Sequence, residues 1–273
     1  MTDRNLTQYF RGGRYSTREG MLVEIPPSGF DWRAIGGVPA VIDPYGENSA
    51  QQFPLGTKLI YGEETYRYCL NGASALLVSN LVQAVAPLAG HINEAIDIPA
   101  VGATTIAFTP AVVTTDDLAA NELQDGYIFI YDNTGEGHKY KIKSHPAIVG
   151  AVSGVLTLID PIRVAPIAAS VATVIHNRFY KVIVKPADQT AICVGFTQQA
   201  VTAAYYFWVL TAGPTAMMID GTVVMGEMVR PSEDDAGAVA AQDFDEAANV
   251  GNTGIVGRVM EIGADAAGGA ATF

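Results

Sequence analysis

GYIFIYDNTGEGHKYKIKSHP, residues 126–146, spells out a β-hairpin. Residues 127–131 form a β-branched and aromatic run that suits a pleated, half-buried surface. Asp132, Asn133, Thr134, Gly135, Glu136 and Gly137 make a turn cluster with two glycines available for positive φ. The returning arm alternates: Lys139, Lys141 and Lys143 point one way, and Tyr140 and Ile142 the other. The hairpin therefore predicts sheets with one dry face and one charged face.

Moving outward, the same pattern recurs. Residues 58–70 predict a second hairpin, with Gly62-Glu63-Glu64 at its turn and Asn71-Gly72 after it. Residues 76–86 are apolar around Ser79-Asn80 and fit either a short helix or a strand pair. Residues 104–109 and 155–159 read as strands, and 171–184 as one longer strand. Thr115 or Asp116 ahead of Leu118 carries the best helix-start signal, for a turn or two. From Ala191 strand follows strand: 191–196, 203–211, 216–219, 222–225, 227–229, 237–240 and 255–262. Short strands at regular spacing, without βαβ alternation, predict sandwiches or barrels.

Residues 1–56 differ. Gly and Pro punctuate them, yet they carry Tyr9, Phe10, Tyr15, Phe30, Trp32, Tyr45 and Phe53. A disordered linker is poorer in aromatics. We expect an extended arm whose side chains are buried against another body, such as a neighbouring subunit. The expected fold is thus all-β, mainly antiparallel sandwich or barrel units, with an extended N-terminal arm and at most short helices. The expected division is an arm at 1–56, a β-rich domain at 57–185 and a C-terminal β-rich domain at 186–273.

Composition bounds the function. Of 273 residues, 49% are hydrophobic and only 16% charged, against about 25% charged in an average domain. Either a large core or a partner-covered surface accounts for this. A net charge of −12 argues against nucleic-acid binding, which needs a basic footprint. The charge is polarised: Arg4, Arg11, Arg14 and Arg18 lie in the first 18 residues, whereas eight acidic residues and only Arg258 follow Arg230. A basic arm and an acidic tail could pair between subunits or meet a partner, or both could be solvated termini. No apolar run approaches the ~18 residues of a membrane span, and no signal peptide follows the first arginines. The expectation is a soluble chain made in the cytoplasm, with no membrane partner.

The residues that carry chemistry do not assemble in sequence. His91, His138, His145 and His176 lack metal-ligand spacing, and Cys69 and Cys193 suit no disulfide framework. His138, in the hairpin turn, reads as solvent-exposed. There is no Gly-x-Ser-x-Gly elbow and no P-loop. Residues 251–257, GNTGIVG, read as a loop entering a strand. Glu233-Asp234-Asp235 and Asp243-Phe244-Asp245-Glu246 lack the calcium-loop pattern. Trp208, in an aromatic strand, fits a core, a subunit interface or a sugar platform. No cofactor, metal or catalytic residue is expected.

Residues 52–84 (QFPLGTKLIYGEETYRYCLNGASALLVSNLVQA), 126–146, 157–165 (TLIDPIRVA), 205–239 (YYFWVLTAGPTAMMIDGTVVMGEMVRPSEDDAGAV) and 255–265 (IVGRVMEIGAD) resemble a family of tailed-bacteriophage virion proteins. These are encoded with head genes and described as structural. The resemblance spans most of residues 52–265 and rests on turns and aromatic strands. It implies a non-enzymatic capsid decoration, or cement, protein on the virion surface, synthesised in the host cytoplasm. Its partners would be the major capsid protein and further copies of itself, such proteins often being trimers. The interface would draw on Arg4, Arg11, Arg14, Arg18, Trp32, Lys139, Lys141, Lys143 and Trp208. The lysine row has two readings, a solvated edge that discourages aggregation or a contact face for acidic shell. Other virion roles, namely head fibre, tail tube or host-binding protein, and a β-rich depolymerase remain the alternatives.

Overall fold

The computed structural model describes residues 12–37, 39, 41–111, 117–242, 254–262 and 269–272. The chain is all-β. Its strands are β1 (Gly13–Ser16), β2 (Leu22–Ile25), β3 (Glu47–Asn48), β4 (Lys58–Tyr61), β5 (Glu64–Leu70), β6 (Leu81–Gln83), β7 (Glu94–Ile96), β8 (Thr105–Thr109), β9 (Tyr127–Tyr131) and β10 (Lys139–Ser144). There follow β11 (Gly154–Leu158), β12 (Val171–Ile175), β13 (Ile183–Val184), β14 (Cys193–Phe196), β15 (Tyr206–Ala212) and β16 (Pro214–Met217). The last are β17 (Ile219–Asp220), β18 (Met228–Pro231), β19 (Val239–Ala241), β20 (Gly257–Ile262) and β21 (Gly269–Thr272). Helical structure among the described residues is confined to two 3-10 turns, Trp32–Ile35 and Ala89–His91.

Two compact units emerge. The first gathers residues 25–37 and 87–177. Its centre is a closed barrel in the order β10-β11-β8-β7-β12-β9, every pair antiparallel. Closure removes free sheet edges. The 126–146 hairpin supplies two adjacent staves, with Tyr140 opposite Ile128 and Lys141 opposite Tyr127. Its apolar set faces inward as the alternation demands: Ile128, Ile130, Tyr140 and Ile142 join Phe108, Leu156 and Val174 in one core. Each such side chain contributes roughly 1.5–3 kcal/mol by burial.

The second unit gathers residues 14–24, 39–86 and 178 onward. It holds a nine-stranded sheet, β1-β2-β4-β5-β15-β14-β6-β13 with β3 also on β15, and a six-stranded sheet, β16-β21-β20-β18-β19-β17. The sheets share a core: Leu81 and Phe196 from the first meet Met217, Val229, Val239 and Val259 from the second. Only β17 and β19 run parallel among the described pairs.

Several expectations change. The contacts do not follow contiguous blocks, because residues 87–177 form their own unit inside the span of the other. The apolar stretch 171–184 is not one strand. It gives β12 to the barrel and β13 to the nine-stranded sheet, with the unit boundary at Asn177/Arg178 between them. Leu118 forms a β-bridge with Ile148 and residues 120–125 form turns, with positive φ at Asn121 and Asp125, in place of a helix; the cap position falls outside the described residues. Residues 222–225 are not a strand, and 76–86 contribute only β6.

The arm is corrected too. From Gly13 it is built into this chain's own units: β2 buries Val23 and Ile25, and Phe53 and Leu55 are buried as well. Residues 25–37 are fastened to the first unit by polar contacts. Ser28 Oγ donates to Asp125 Oδ2 at 2.5 Å, and Gly29 N–H donates to Asp125 Oδ1 at 3.3 Å. Gly29 is required there by close approach, since a Cβ would sit 2.0 Å from the Lys143 carbonyl oxygen. Of the arm's described aromatics, Trp32 and Phe53 are buried within the same chain, whereas Tyr45 stays 48% exposed; Tyr9 and Phe10 lie outside the described residues.

Candidate functional site

The interface residues expected from the sequence separate into distinct environments. Arg4 and Arg11 lie outside the described residues. Arg18 is exposed in the turn between β1 and β2. Arg14 pairs with Glu24 across those strands, and Lys58 Nζ reaches the same carboxylate at 3.5 Å. The hydrogen bond from Arg14, aided by both positive charges, holds the Glu24 carboxyl below its usual range. Arg14 therefore meets its acid inside its own sheet.

Both tryptophans are buried. Trp208 is 3% exposed, with ring centroids of Tyr68 and Phe53 at 5.0 and 5.3 Å. Tyr68 also stacks on Tyr206 at 5.9 Å. Of the readings open for Trp208, the structure selects the core, and no face of the ring is left for a sugar. Trp32 is 4% exposed and meets Phe30 edge to face at 5.2 Å. Interface roles for these two indoles are replaced by roles inside the fold.

The lysine row divides. Lys139 is exposed, its ammonium 5.5 Å from the Tyr127 ring centroid. Lys143 is half-buried. Lys141 is drawn inward, donating to the Pro27 carbonyl and lying 4.0 Å from Asp125 Oδ1. Burial pushes the Asp125 carboxyl up and the Lys141 ammonium down, each partly offset by the other's charge. Lys141 is a fastening for residues 25–37, not a contact face.

Three histidines gather in the first unit. The rings of His91 and His176 lie 6.1 Å apart, and His176 Nε2 is 3.8 Å from Glu122 Oε1. His145 accepts the Leu123 N–H at Nε2 (2.9 Å) and, as the Nδ1–H tautomer, donates to the Pro146 carbonyl (2.7 Å). Burial lowers its pKa. Among the described residues no three His, Cys, Asp or Glu side chains are grouped to hold a metal. His138 is only half-exposed, its Nδ1 3.0 Å from the Gly135 carbonyl. Glu233 pairs with Arg230 at 3.1 Å, while Ser232 Oγ accepts the Asp234 and Asp235 N–H groups. That acidic cluster is a capped turn. Asp243, Asp245 and Glu246 fall outside the described residues. Cys69 is buried and Cys193 half-buried, both as free thiols.

The surface also exposes large apolar side chains in short groups. In the first unit Val149 and Val152 stand on the β10–β11 connection, 62% and 65% exposed. Val155 follows on β11, turned outward because Leu156 and Leu158 face the core. In the second unit Val224 and Met225 are exposed on a turn tied to β20. Gly226 N–H donates to the Val259 carbonyl at 2.8 Å, and Val259 N–H to the Glu227 carbonyl at 2.9 Å. The turn therefore lies beside exposed Met260. Leu77 and Val78 form a third exposed pair. Period-2 alternation along β11 is the signal that could have marked Val155 as outward-facing; the loop positions carry no periodic signal.

Comparison of the chain with known protein families, curated proteins and solved structures finds no match. Among the described residues no helix is long and apolar enough to cross a membrane.

Proposed function

We propose that this chain is a virion structural protein that decorates a tailed-phage capsid, binding the major capsid protein and further copies of itself through non-covalent interfaces. The carrying observation is the exposure of large aliphatic side chains in short groups, Val149-Val152-Val155 and Val224-Met225-Met260. Scattered apolar residues are ordinary on a surface, whereas grouped ones mark association. The sparse charge of the chain and its resemblance to phage structural proteins agree with that reading. The chemistry would be burial alone, at about 25 cal/mol per Å² of apolar area removed from water, repeated at every equivalent shell position. Closed and hydrogen-bonded sheets suit such a part, because they keep their shape while their side chains bind.

A glycan-binding fibre loses its best platform, since Trp208 is enclosed by Phe53 and Tyr68. The test is co-sedimentation of the purified chain with expanded empty heads of the phage that encodes it, together with copy number in purified virions. Saturable binding and a copy number on the scale of the capsomers are expected. No binding to heads, or a handful of copies per virion, overturns the reading.

A further inference from the structure

The nine-stranded sheet carries a cleft of about 440 Å³ in the second unit. Its floor crosses three neighbouring strands: Arg67 from β5, Thr211 from β15, and Cys193 and Gly195 from β14. Arg178 and Phe179, just past the unit boundary, form one wall, and Ile192 and Ile255 stand exposed at the rim.

The charge in this cleft is one-sided. No carboxylate lines it among the described residues, and neither guanidinium forms an ion pair with one there. Among the described residues Arg67 donates to the Gly56 carbonyl, at 2.9 Å, and the Arg178 Cζ lies 4.8 Å from the Phe179 ring centroid. Burial, then the like charge of Arg178, holds Arg67 below the usual arginine range. Cys193 adds no counter-charge, because burial pushes its thiol up to about 11. In a chain of net charge −12, two guanidiniums line one cleft with no carboxylate among its described lining residues; Glu24, whose charge favours the Arg67 guanidinium, is itself engaged by Arg14 and Lys58. Arginine presents a planar fork of donors matched to carboxylate and phosphate oxygens. The rim, by contrast, is aliphatic at Ile192 and Ile255, with the buried Phe179 ring behind it in the wall.

We propose that this cleft binds a small organic anion, a carboxylate or phosphate monoester carried on an apolar body. The oxyanion sits between Arg67 and Arg178, and the body rests against Phe179, Ile192 and Ile255. Such a ligand removes the repulsion between the two guanidiniums and covers the apolar rim in one step.

The test uses the full chain with phenylacetate and phenyl phosphate as anions, inorganic phosphate as the anion without a body, and 2-phenylethanol as the body without a charge. Binding is read by calorimetry and by protection of Cys193 from N-ethylmaleimide; Cys69 is fully buried. Saturable binding of at least one aromatic anion with protection of Cys193 is expected, with inorganic phosphate and the alcohol each about tenfold weaker or more. Arg178→Gln, at an exposed position, should weaken the anion about tenfold, the worth of one charge-assisted hydrogen bond, with unchanged Tm. Arg67→Lys, which keeps the charge but loses the fork, is the second variant and should weaken it similarly. Failure of both anions to bind saturably, equal protection by the alcohol, or unchanged affinity in both variants overturns the proposal.

Discussion

Lys141 Nζ lies 4.0 Å from Asp125 Oδ1, although Lys141 belongs by sequence to an alternating row of outward lysines. Its neighbour in that row, Lys139, remains in solvent. The difference follows from residues 25–37, whose Pro27 carbonyl and Ser28 hydroxyl complete a buried polar cluster around the Asp125 carboxylate.

Removing one partner of a buried pair leaves an uncompensated charge. Lys141→Met should therefore cost about 3–5 kcal/mol at neutral pH, and Lys139→Met no more than about 0.5 kcal/mol, both read by urea unfolding. The pH dependence has a definite sign. The folded pKa of Asp125 is raised above 3.8, so its protonated form stabilises the fold below that value and the gain is lost as pH rises through the folded pKa. The Lys141→Met penalty should shrink as pH falls toward 4, and Asp125→Asn in the same chain should recover much of it. An equal penalty for both lysines would contradict the assignment.

His145 gives a second pH effect, of opposite sense. Its Nε2 accepts the Leu123 N–H, so a proton there sets two donors against each other. Burial holds its pKa below 6.5, opposed by Glu122 and reinforced by His176. A depressed folded pKa means full stability above about pH 6.5, lost as pH falls through the folded value. Thermal denaturation between pH 7.5 and 5 should show Tm dropping in the wild type. His145→Gln should be less stable at pH 7.5 but flatter across that window.

Trp208 should behave as a core residue. Trp208→Ala removes the ring that joins Phe53 and Tyr68 and should cost about 3–5 kcal/mol. Chemical denaturation with a tryptophan-independent probe measures it. A loss under about 1 kcal/mol would mean that the indole does not carry the packing seen here.

The exposed aliphatic groups should behave in the opposite way. Val152→Asp and Met225→Asp replace side chains that are each 65% exposed, so stability should change by no more than about 0.5 kcal/mol. Binding to empty heads, or self-association in sedimentation velocity, should fall. Unchanged association in the double variant would show that these surfaces are not interfaces.

Much of this fold was legible because strand chemistry is local. The 126–146 and 58–70 hairpins appear where alternation and turn residues place them, and β15 falls on the Tyr-Phe-Trp run. The break within 171–184 was hidden. An apolar run looks alike whether it stays in one sheet or leaves it, and Asn177/Arg178 divides two units by contacts far away in sequence. The candidate sites were hidden for the same reason. Arg67 and Arg178 are 111 positions apart, and no spacing rule unites them. Trp208 was prominent in sequence, but its neighbours Phe53 and Tyr68 decide that it is core.

Alternation alone determined which side of each hairpin strand is dry, because successive side chains point to opposite faces of a pleated strand. It also determined that the chain would be built of sheets. Only the tertiary structure decided which dry faces meet, that β9 and β10 close a barrel, and that Lys141 faces a carboxylate while Lys139 faces water. Those outcomes depend on Pro27, Ser28 and Asp125 arriving from elsewhere in the chain, and burial of a charge is a property of that meeting rather than of any one residue.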